Sequence, residues 1–153
     1  MGCSVQRGVS QICAALFLIS ALCLPVSSLH AQQANTQNPL EQLTLLNRAG
    51  MPAQAYALAE QLLPQWEGEP AFDLQYGVAA VDVGLFSEGI FALERVTMNE
   101  PENNYARLEL ARAYFAAQED ERAKVEFERV LASEPPDEVR ENIRPYLDTI
   151  SAR

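Results

Sequence analysis

A period of thirty-four positions recurs through most of this chain and constrains its fold more than any other feature. Gly50, Gly84 and Gln118 lie one such period apart, each between two stretches in which apolar residues recur at helical spacing. Three further sets of equivalent residues share this spacing: Ala55, Gly89 and Ala123; Leu62, Val96 and Val130; Pro101 and Pro135. Self-similarity at a fixed period indicates stacked copies of one unit, here two helices joined by a turn.

The clearest copy of this unit covers residues 104–137. Apolar residues recur every three or four positions on both sides of a short polar turn: Leu108, Ala111, Tyr114 and Phe115 before it, and Ala123, Phe127, Val130 and Leu131 after it. This spacing places them on one stripe of each helix. Neither helix can bury its stripe alone, so we expect the pair to pack on itself and on neighbouring pairs.

The pattern resembles the tetratricopeptide repeat, which places large, small, aromatic, turn and proline residues at fixed positions. The copy at 104–137 matches through Leu110, Ala111, Tyr114, Ala123, Phe127 and Pro135. The copy at 70–103 matches through Gly77, Gly84, Phe86, Gly89 and Pro101, and the copy at 36–69 retains Gly50, Ala55 and Leu62. The resemblance implies an all-α, right-handed α-solenoid of about three repeats, with a C-terminal capping helix at residues 138–153.

Small residues at equivalent positions predict close contact between the two helices of each pair. Gly77 and Ala111 lie on first helices, whereas Gly89 and Ala123 lie on second helices. Glycine inside a helix costs about 1 kcal/mol relative to alanine, so Gly89 indicates a crossing that is too tight for a side chain.

Capping residues and prolines predict where the helices begin and end. The predicted N-caps are Asn38 or Thr36, Ser87, Asp120 and Asp137. Pro64 should end the second helix and leave Trp66 in the following link, where Trp66 either covers the helix ends or binds a partner. Pro145 should kink the last helix or split it in two.

The segment at 1–31 has the pattern of a secretory signal peptide. The apolar run at 12–24 would reach only about 20 Å as a helix, which is less than the ~30 Å core of a bilayer. Small residues follow this run, so we expect cleavage after Ala31 or, alternatively, after Ser28. Residues 32–35 would then form a short linker. An uncleaved membrane anchor is the other interpretation of this segment.

Reactive side chains are scarce beyond the predicted signal peptide, which contains all three cysteines and the single histidine, His30. We therefore expect no thiol or imidazole nucleophile, no cofactor and no metal. Phosphate-binding and nucleophile-elbow motifs are also missing from the sequence. Acidic side chains such as Glu126 and Glu128 are expected to be solvated. The chain is thus predicted not to be an enzyme; an enzyme that used carboxylates alone would need a buried pair of acids.

The charge balance is acidic, with 21 Asp and Glu against 11 Lys and Arg. An acidic surface repels nucleic acid and anionic lipid, so nucleic acid is not expected as a partner. Signal cleavage would also remove the apolar run, so no stable membrane span is expected afterwards.

The first helices of stacked repeats line a concave groove, and the resemblance implies which positions face it. Carried over by position, the predicted groove residues are Asn47, Arg48, Leu74, Val78, Asp82, Tyr105, Leu108, Arg112 and Phe115. An apolar floor with arginines and an acid suits an extended peptide or a partner's helix, and Arg112 is expected to pair with a carboxylate. The alternative is that Leu108 and Phe115 only pack on the next repeat.

A narrower resemblance covers residues 111–114, 126–131 and 135–143, which are similar to the N-terminal periplasmic repeat domain of surface lipoprotein assembly modifiers. In that family the repeats precede an outer-membrane β-barrel. The resemblance implies a periplasmic scaffold that binds a protein or peptide, with a role in outer-membrane or lipoprotein assembly. The alternatives are a passive oligomerisation or envelope-spacing module, and a truncated first domain of a barrel protein.

Overall fold

A computed structural model describes residues 38–153 of the chain. The predicted signal peptide, its cleavage site, the linker and the first residues of the first repeat lie outside the described residues. The described part contains helices and no β-strand. In chain order the helices are α1 (Pro39–Arg48), α2 (Pro52–Trp66), α3 (Pro70–Asp82), α4 (Phe86–Asn99), α5 (Asn104–Ala116), α6 (Asp120–Ala132) and α7 (Asp137–Ser151).

The helices stack as three pairs, α1–α2, α3–α4 and α5–α6, followed by α7, which packs on α6. The second helix of each pair contacts the first helix of the next pair. First helices also contact one another, α1 with α3 and α3 with α5, whereas the second helices of the described part have no comparable contacts. The stack is therefore narrower along its first helices, which line the inner side. This arrangement is the predicted all-α solenoid.

The turns within the three pairs have the same backbone conformation at equivalent positions. Gly50, Gly84 and Gln118 have positive φ angles of 65°, 88° and 62°. The backbone N–H of each following residue donates to a carbonyl five residues earlier, as in Glu119 to Tyr114 over 2.9 Å. This is the C-terminal helix motif that favours glycine at the left-handed position. The repeat period therefore marks a recurring turn conformation, and Gln118 occupies it at a steric cost.

The N-caps predicted at Ser87, Asp120 and Asp137 are wrong, and this turn explains the first two. These residues lie inside the first turn of their helices, and the cap positions are held by Leu85, Glu119 and Pro136 without a side-chain hydrogen bond. Leu85 and Glu119 directly follow the residues in the left-handed conformation, Gly84 and Gln118. Each completes the turn after one helix and is the N-cap of the next. The turn therefore sets the helix start, whatever polar residue follows it. The predicted cap Asn38 is confirmed, because its side chain accepts a hydrogen bond from Leu40.

Gly77 and Gly89 allow a close approach between α3 and α4. A Cβ atom at Gly77 would lie 2.7 Å from Leu93 Cγ, and one at Gly89 would lie 2.8 Å from the Gly77 carbonyl oxygen. Both distances are well below an ordinary contact of about 3.5–4.0 Å. The equivalent residues of the third pair, Ala111 and Ala123, are fully buried. The predicted tight contact within the pairs is confirmed.

Two apolar clusters fill the stack. The first lies among α1, α2, α3 and α4, and the second lies among α4, α5, α6 and α7. Ile143 of α7 is fully buried in the second cluster, and Val139, Leu147 and Ile150 pack against it. As predicted, α7 covers the apolar surface that the last pair would otherwise expose.

Two prolines lie inside helices: Pro64, which was predicted to end α2, and Pro145, which was predicted to kink or split the last helix. α2 continues through Pro64 to Trp66, and α7 continues through Pro145 to Ser151 as one assigned helix. A proline removes one backbone hydrogen bond, but the last turns retain packing that compensates. Trp66 packs on the first apolar cluster, and Leu147 packs on the second. Trp66 therefore belongs to α2 and covers part of the core.

Replacing Gln118 by glycine should stabilise the protein. The left-handed conformation costs a residue with a side chain roughly 1–2 kcal/mol, and glycine avoids this cost while losing more chain entropy on folding. We expect Gln118→Gly to raise the free energy of unfolding by about 0.5–1 kcal/mol in urea denaturation. The control is Ala117→Gly, because Ala117 has a φ of −75° and gains nothing from glycine. Equal effects of the two substitutions would contradict the argument.

Candidate functional site

Side chains from four helices form a group on the inner side of the stack, which we call the inner polar cluster. Each member interacts electrostatically with at least one other member. The members are Arg48, Asp82, Tyr105, Glu109, Arg112 and Tyr146. The repeat register places them there. Arg48 and Asp82 are one repeat period apart, as are Arg112 and Tyr146, so each pair occupies one position of successive inner helices or of the capping helix.

An ion pair between Arg112 and Glu109 lies at the centre of the cluster. Arg112 Nη1 donates to Glu109 Oε2 over 2.7 Å, and the two residues are one helical turn apart on α5. The Glu109 side chain is 10% exposed and that of Arg112 is 43% exposed. The carboxylate therefore lies at the floor of the inner surface, while the guanidinium extends towards solvent.

The surroundings of this ion pair change the pKa of both partners. Burial raises the pKa of Glu109, Arg112 opposes this shift, and the Asp82 carboxylate adds to it. Burial lowers the pKa of Arg112, but the Glu109 carboxylate and the Tyr146 hydroxyl raise it by more. The pKa of Arg112 is therefore raised. Arg112 therefore stays charged beside an acid that gains a proton more readily than an exposed glutamate.

Tyr105 provides an exposed aromatic surface beside the ion pair. The residue is 55% exposed and interacts electrostatically with Arg48 on α1 and Asp82 on α3. The guanidinium of Arg112 has five N–H donors, and Glu109 takes one of them. An aromatic ring next to a guanidinium with spare donors can hold an acidic or amide-bearing segment of another polypeptide.

The structure divides the predicted groove residues between two environments. Four of them belong to the inner polar cluster: Arg48, Asp82, Tyr105 and Arg112. Three others are partly buried and pack against the second apolar cluster: Leu74, Leu108 and Phe115. The remaining two, Asn47 and Val78, are also partly buried. The four residues of the inner polar cluster therefore reach solvent, whereas Asn47 and the apolar residues have limited exposure.

α7 covers the side chain of Phe115. The rings of Phe115 and Tyr146 meet edge to face at a centroid distance of 5.0 Å. The guanidinium of Arg153 lies 4.9 Å from the centre of the Phe115 ring. Phe115 is therefore partly buried by Tyr146 of α7 and by Arg153.

Asn47 connects the first two repeats. Its Nδ2 donates to the Gln75 carbonyl oxygen over 2.9 Å and to Gln75 Oε1 over 3.0 Å. Its Oδ1 atom is buried without a hydrogen bond from the described residues. The donor atoms of Asn47 are thus used between α1 and α3, which is a structural role within the stack.

Sequence reasoning missed two members of the inner polar cluster, Glu109 and Tyr146. Tyr146 lies one repeat period after Arg112, so extending the repeat register into the capping helix would have identified it. Glu109 lies between two leucines, three positions before Arg112, a spacing that favours an ion pair on one helix. Its burial depends on the neighbouring helices, which the spacing along α5 does not reveal.

Two further buried acids pair with arginines. Asp73 is fully buried and accepts from Arg95 Nη2 over 2.7 Å and from Arg95 Nε over 2.9 Å. Glu126 accepts from Arg107 over 2.8 Å and from Arg129 over 2.7 Å. The prediction that Glu126 is solvated is wrong, because its face of α6 packs towards α5. Arginine partners of this kind are typical of structural ion pairs.

The described residues show no group of three or more Cys, His, Asp or Glu side chains that could hold a metal ion. Among residues 38–153, no helix combines the length and apolar character needed to cross a membrane.

Comparison with known proteins supports the repeat assignment. Residues 80–141 match the tetratricopeptide repeat family. The chain is also similar to a surface lipoprotein assembly modifier from Moraxella catarrhalis, with 33% identity over 100 residues. This alignment covers 60% of the chain and 20% of the relative, so the chain spans about a fifth of the relative's length. No solved structure matches the chain.

The raised pKa of Glu109 predicts how its contribution to stability depends on pH. When folding raises the pKa of a group, the stability that this group contributes is complete below its ordinary pKa, here 4.5. This contribution is lost as the pH rises through the pKa of the folded state. We therefore expect wild type to lose stability relative to Glu109→Gln as pH rises through this window, with a constant difference above it. Urea denaturation between about pH 4 and pH 8 measures the difference.

Glu121→Gln is the control for this prediction, because Glu121 is exposed on α6 and lies outside the inner polar cluster. Its comparison with wild type corrects for the general effect of removing one negative charge. A difference between wild type and Glu109→Gln that stays constant across the whole pH range would contradict the prediction.

Proposed function

We propose that this chain, a tetratricopeptide repeat protein, is a non-catalytic scaffold that binds a protein or peptide partner on the inner side of its stack. Tetratricopeptide repeats generally serve protein interaction, which supports the class of function. The observation that carries the proposal is the inner polar cluster, where Tyr105 and Arg112 reach solvent above the buried Glu109 carboxylate.

The chemistry of this surface favours a partner segment of mixed character. Arg48 and Arg112 would bind acidic side chains, while the exposed carboxylate of Asp82 would bind a basic one. Tyr105 would contribute aromatic contact area, and the partly buried Leu74 and Leu108 would form an apolar floor. We propose that the groove includes these residues together with Asn47, Val78 and the edge of Phe115. Because the charges alternate, they would set the orientation of the partner.

We place this scaffold in the periplasm and propose a role in outer-membrane or lipoprotein assembly. The signal-like pattern at positions 1–31 supports export. The name of the Moraxella catarrhalis relative, surface lipoprotein assembly modifier, supports the envelope process. In this proposal the partner is a client or component of that process, held while it is assembled.

A capture experiment tests the inner surface. Arg112→Glu would place a second carboxylate beside buried Glu109, and Tyr105→Ala would remove the exposed ring. We expect each variant to lose partners that wild type captures from an envelope extract, with at least about tenfold weaker binding, or ~1.4 kcal/mol. Quantitative mass spectrometry of the captured proteins is the measurement, and circular dichroism melting verifies that each variant is folded.

The matched control for this capture experiment is Lys124→Glu, which makes the same charge reversal at an exposed position of α6. It should retain the wild-type set of partners. Identical partner sets for wild type, Arg112→Glu and Tyr105→Ala would reject the inner surface as the binding site.

Export is tested by the N-terminus of the protein that cells accumulate. We expect intact mass measurement of periplasmic protein to show a chain that begins at Gln32, after cleavage at Ala31, or at Leu29, after cleavage at Ser28. Changing Ala31 and Leu29 to bulky charged residues should slow cleavage after Ala31, because signal peptidases require small residues near the cut. Protein found only in the membrane fraction with residues 1–31 attached would contradict the proposed cleavage.

A further inference from the structure

Two opposite charges occupy equivalent positions on neighbouring inner helices. Arg48 is the last residue of α1, and Asp82 is the last residue of α3, one repeat period later. Both side chains are exposed. α1 and α3 contact each other, and the axes of packed helices lie about 8–10 Å apart. The backbone positions of the two charges are therefore separated by about this distance along the inner side.

Neither of these charges is neutralised within the stack. Acidic side chains outnumber basic ones in this chain by 21 to 11, and most arginines of residues 38–153 pair with an acid. Arg48 and Asp82 form no ion pair with any residue in this range. An arginine that stays unpaired among so many acids, next to an unpaired acid, leaves both groups available to a partner.

Arg112 selects charge less strictly than Arg48 does. Its guanidinium donates to Glu109 over 2.7 Å, so the Glu109 carboxylate balances its charge. The remaining N–H donors of Arg112 can bind a backbone carbonyl oxygen of a partner as well as a carboxylate. Selection between acidic and basic side chains of a partner therefore depends on Arg48 and Asp82.

The next equivalent position carries no charge. Ala116 is the last residue of α5, one repeat period after Asp82, and it is exposed. The ends of the three inner helices therefore present a positive, a negative and a neutral position, in this order. Tyr105 interacts electrostatically with both Arg48 and Asp82, so this row of positions belongs to the same surface as the inner polar cluster.

The spacing of the row matches one backbone conformation of a bound segment. A polyproline II segment has three residues per turn and rises about 3.1 Å per residue, so residues three positions apart lie on one face about 9 Å from each other. In a β-strand the residues of one face are two or four positions apart, which corresponds to about 7 Å or about 13 Å. The spacing of about 8–10 Å between packed helices agrees with the polyproline II value.

An α-helix fits the inner side less well than an extended segment does. A bound helix places a continuous apolar stripe in an apolar groove. The apolar residues Leu74, Val78 and Leu108 of the inner side are partly buried and leave little area for such a stripe. Tyr105, in contrast, is 55% exposed, and polyproline II segments pack on exposed aromatic rings.

We propose that the inner surface binds an extended polyproline II segment of its partner, with an acidic residue at Arg48 and a basic residue three positions away at Asp82. The residue a further three positions along would lie at Ala116, where no charge is selected. A proline of the segment would pack on the ring of Tyr105. This inference rests on the proposed scaffold function and specifies the sequence that the partner presents.

The net charge of the chain also favours a segment that carries both signs. The chain has a formal net charge of −10 at pH 7. This charge repels a uniformly acidic segment, and it attracts a uniformly basic segment to exposed acids of the outer helices, such as Glu60 and Glu121, as well as to the groove. A segment with one acid and one base has no net charge, so its binding depends on the spacing of the two.

Selection of peptides displayed on phage tests this spacing. A library of random peptides of about twelve residues is selected on the immobilised full-length chain, and the enriched peptides are sequenced. We expect opposite charges three positions apart to be enriched over opposite charges two or four positions apart, together with proline. The control selection uses Lys124→Glu, which reverses an exposed charge of α6 and should enrich the same sequences.

Reversal of each charge should change the selected sequence. Arg48→Glu should enrich a basic residue at both positions, and Asp82→Arg should enrich an acidic residue at both. In fluorescence anisotropy, a synthetic peptide selected by wild type should bind each variant at least about tenfold more weakly, because an attraction becomes a repulsion. Replacing the acid of this peptide by lysine should restore binding to Arg48→Glu. Circular dichroism verifies that both variants are folded.

Three outcomes would overturn the proposal. The first is a selection that enriches no peptide. The second is enrichment of charges without a fixed spacing, or at the spacing of two or four positions that indicates a β-strand. The third is a selected peptide that binds Arg48→Glu and Asp82→Arg as tightly as it binds wild type.

Capture from an envelope extract separates this proposal from the scaffold function. Partners that Tyr105→Ala loses, but that Arg48→Glu and Asp82→Arg retain, would reject the charge spacing and leave the scaffold function standing. Identical partner sets for wild type, Tyr105→Ala and Arg112→Glu would reject the inner surface as the binding site, and both proposals with it.

Discussion

The close crossing of paired helices is the constraint on which the rest of the structure depends. Each helix has one apolar stripe, and no helix of the stack can bury its stripe alone. Gly77 and Gly89 bring the backbones of α3 and α4 so close that a Cβ atom would meet the opposite helix. No cysteine lies beyond Cys23, so no disulfide reinforces residues 38–153. Packing at these crossings therefore holds the stack together and positions the inner surface.

Buried ion pairs connect the two helices of the second and third pairs. Asp73 on α3 pairs with Arg95 on α4, and Arg107 on α5 pairs with Glu126 on α6. Asp73 and Arg107 are one repeat period apart, so one position of the repeat is acidic in the second pair and basic in the third. Buried pairs gain little net stability, because the charges must lose their water. The polarity is not simply exchanged between the pairs, because the residue equivalent to Arg95 is Arg129, and Glu126 supplies the acid for both Arg107 and Arg129.

The inner and outer surfaces divide the chemistry of the stack. On the inner side, α5 carries Glu109 and Arg112, and α7 adds Tyr146 to the same cluster. On the outer side, the second helices leave Phe91 and Met98 exposed. The two sides of the stack therefore differ in chemistry, with a polar cluster on the inner side and exposed apolar side chains on the outer side.

Much of the fold could be predicted from local sequence, because repeat spacing and helical periodicity are properties of the chain itself. The repeat period located the helix pairs, the turns at Gly50 and Gly84, and the capping helix. Errors arose where tertiary contacts outweighed local preference. Pro64 was expected to end α2, but packing of Trp66 keeps the last turn helical. Asp120 was expected to cap α6, but the repeated turn begins that helix one residue earlier.

The same distinction applies to the candidate site. Sequence alone determined the repeat and the acidic charge of the chain, and the resemblance to tetratricopeptide repeats predicted an inner position for Arg48, Asp82, Tyr105 and Arg112. Only the tertiary structure decided that α7 covers Phe115, that Glu109 is buried, and that Tyr146 joins the cluster. The physical reason is that periodicity assigns a side chain to a face of its own helix, whereas burial and pKa depend on the atoms that neighbouring helices place against that face.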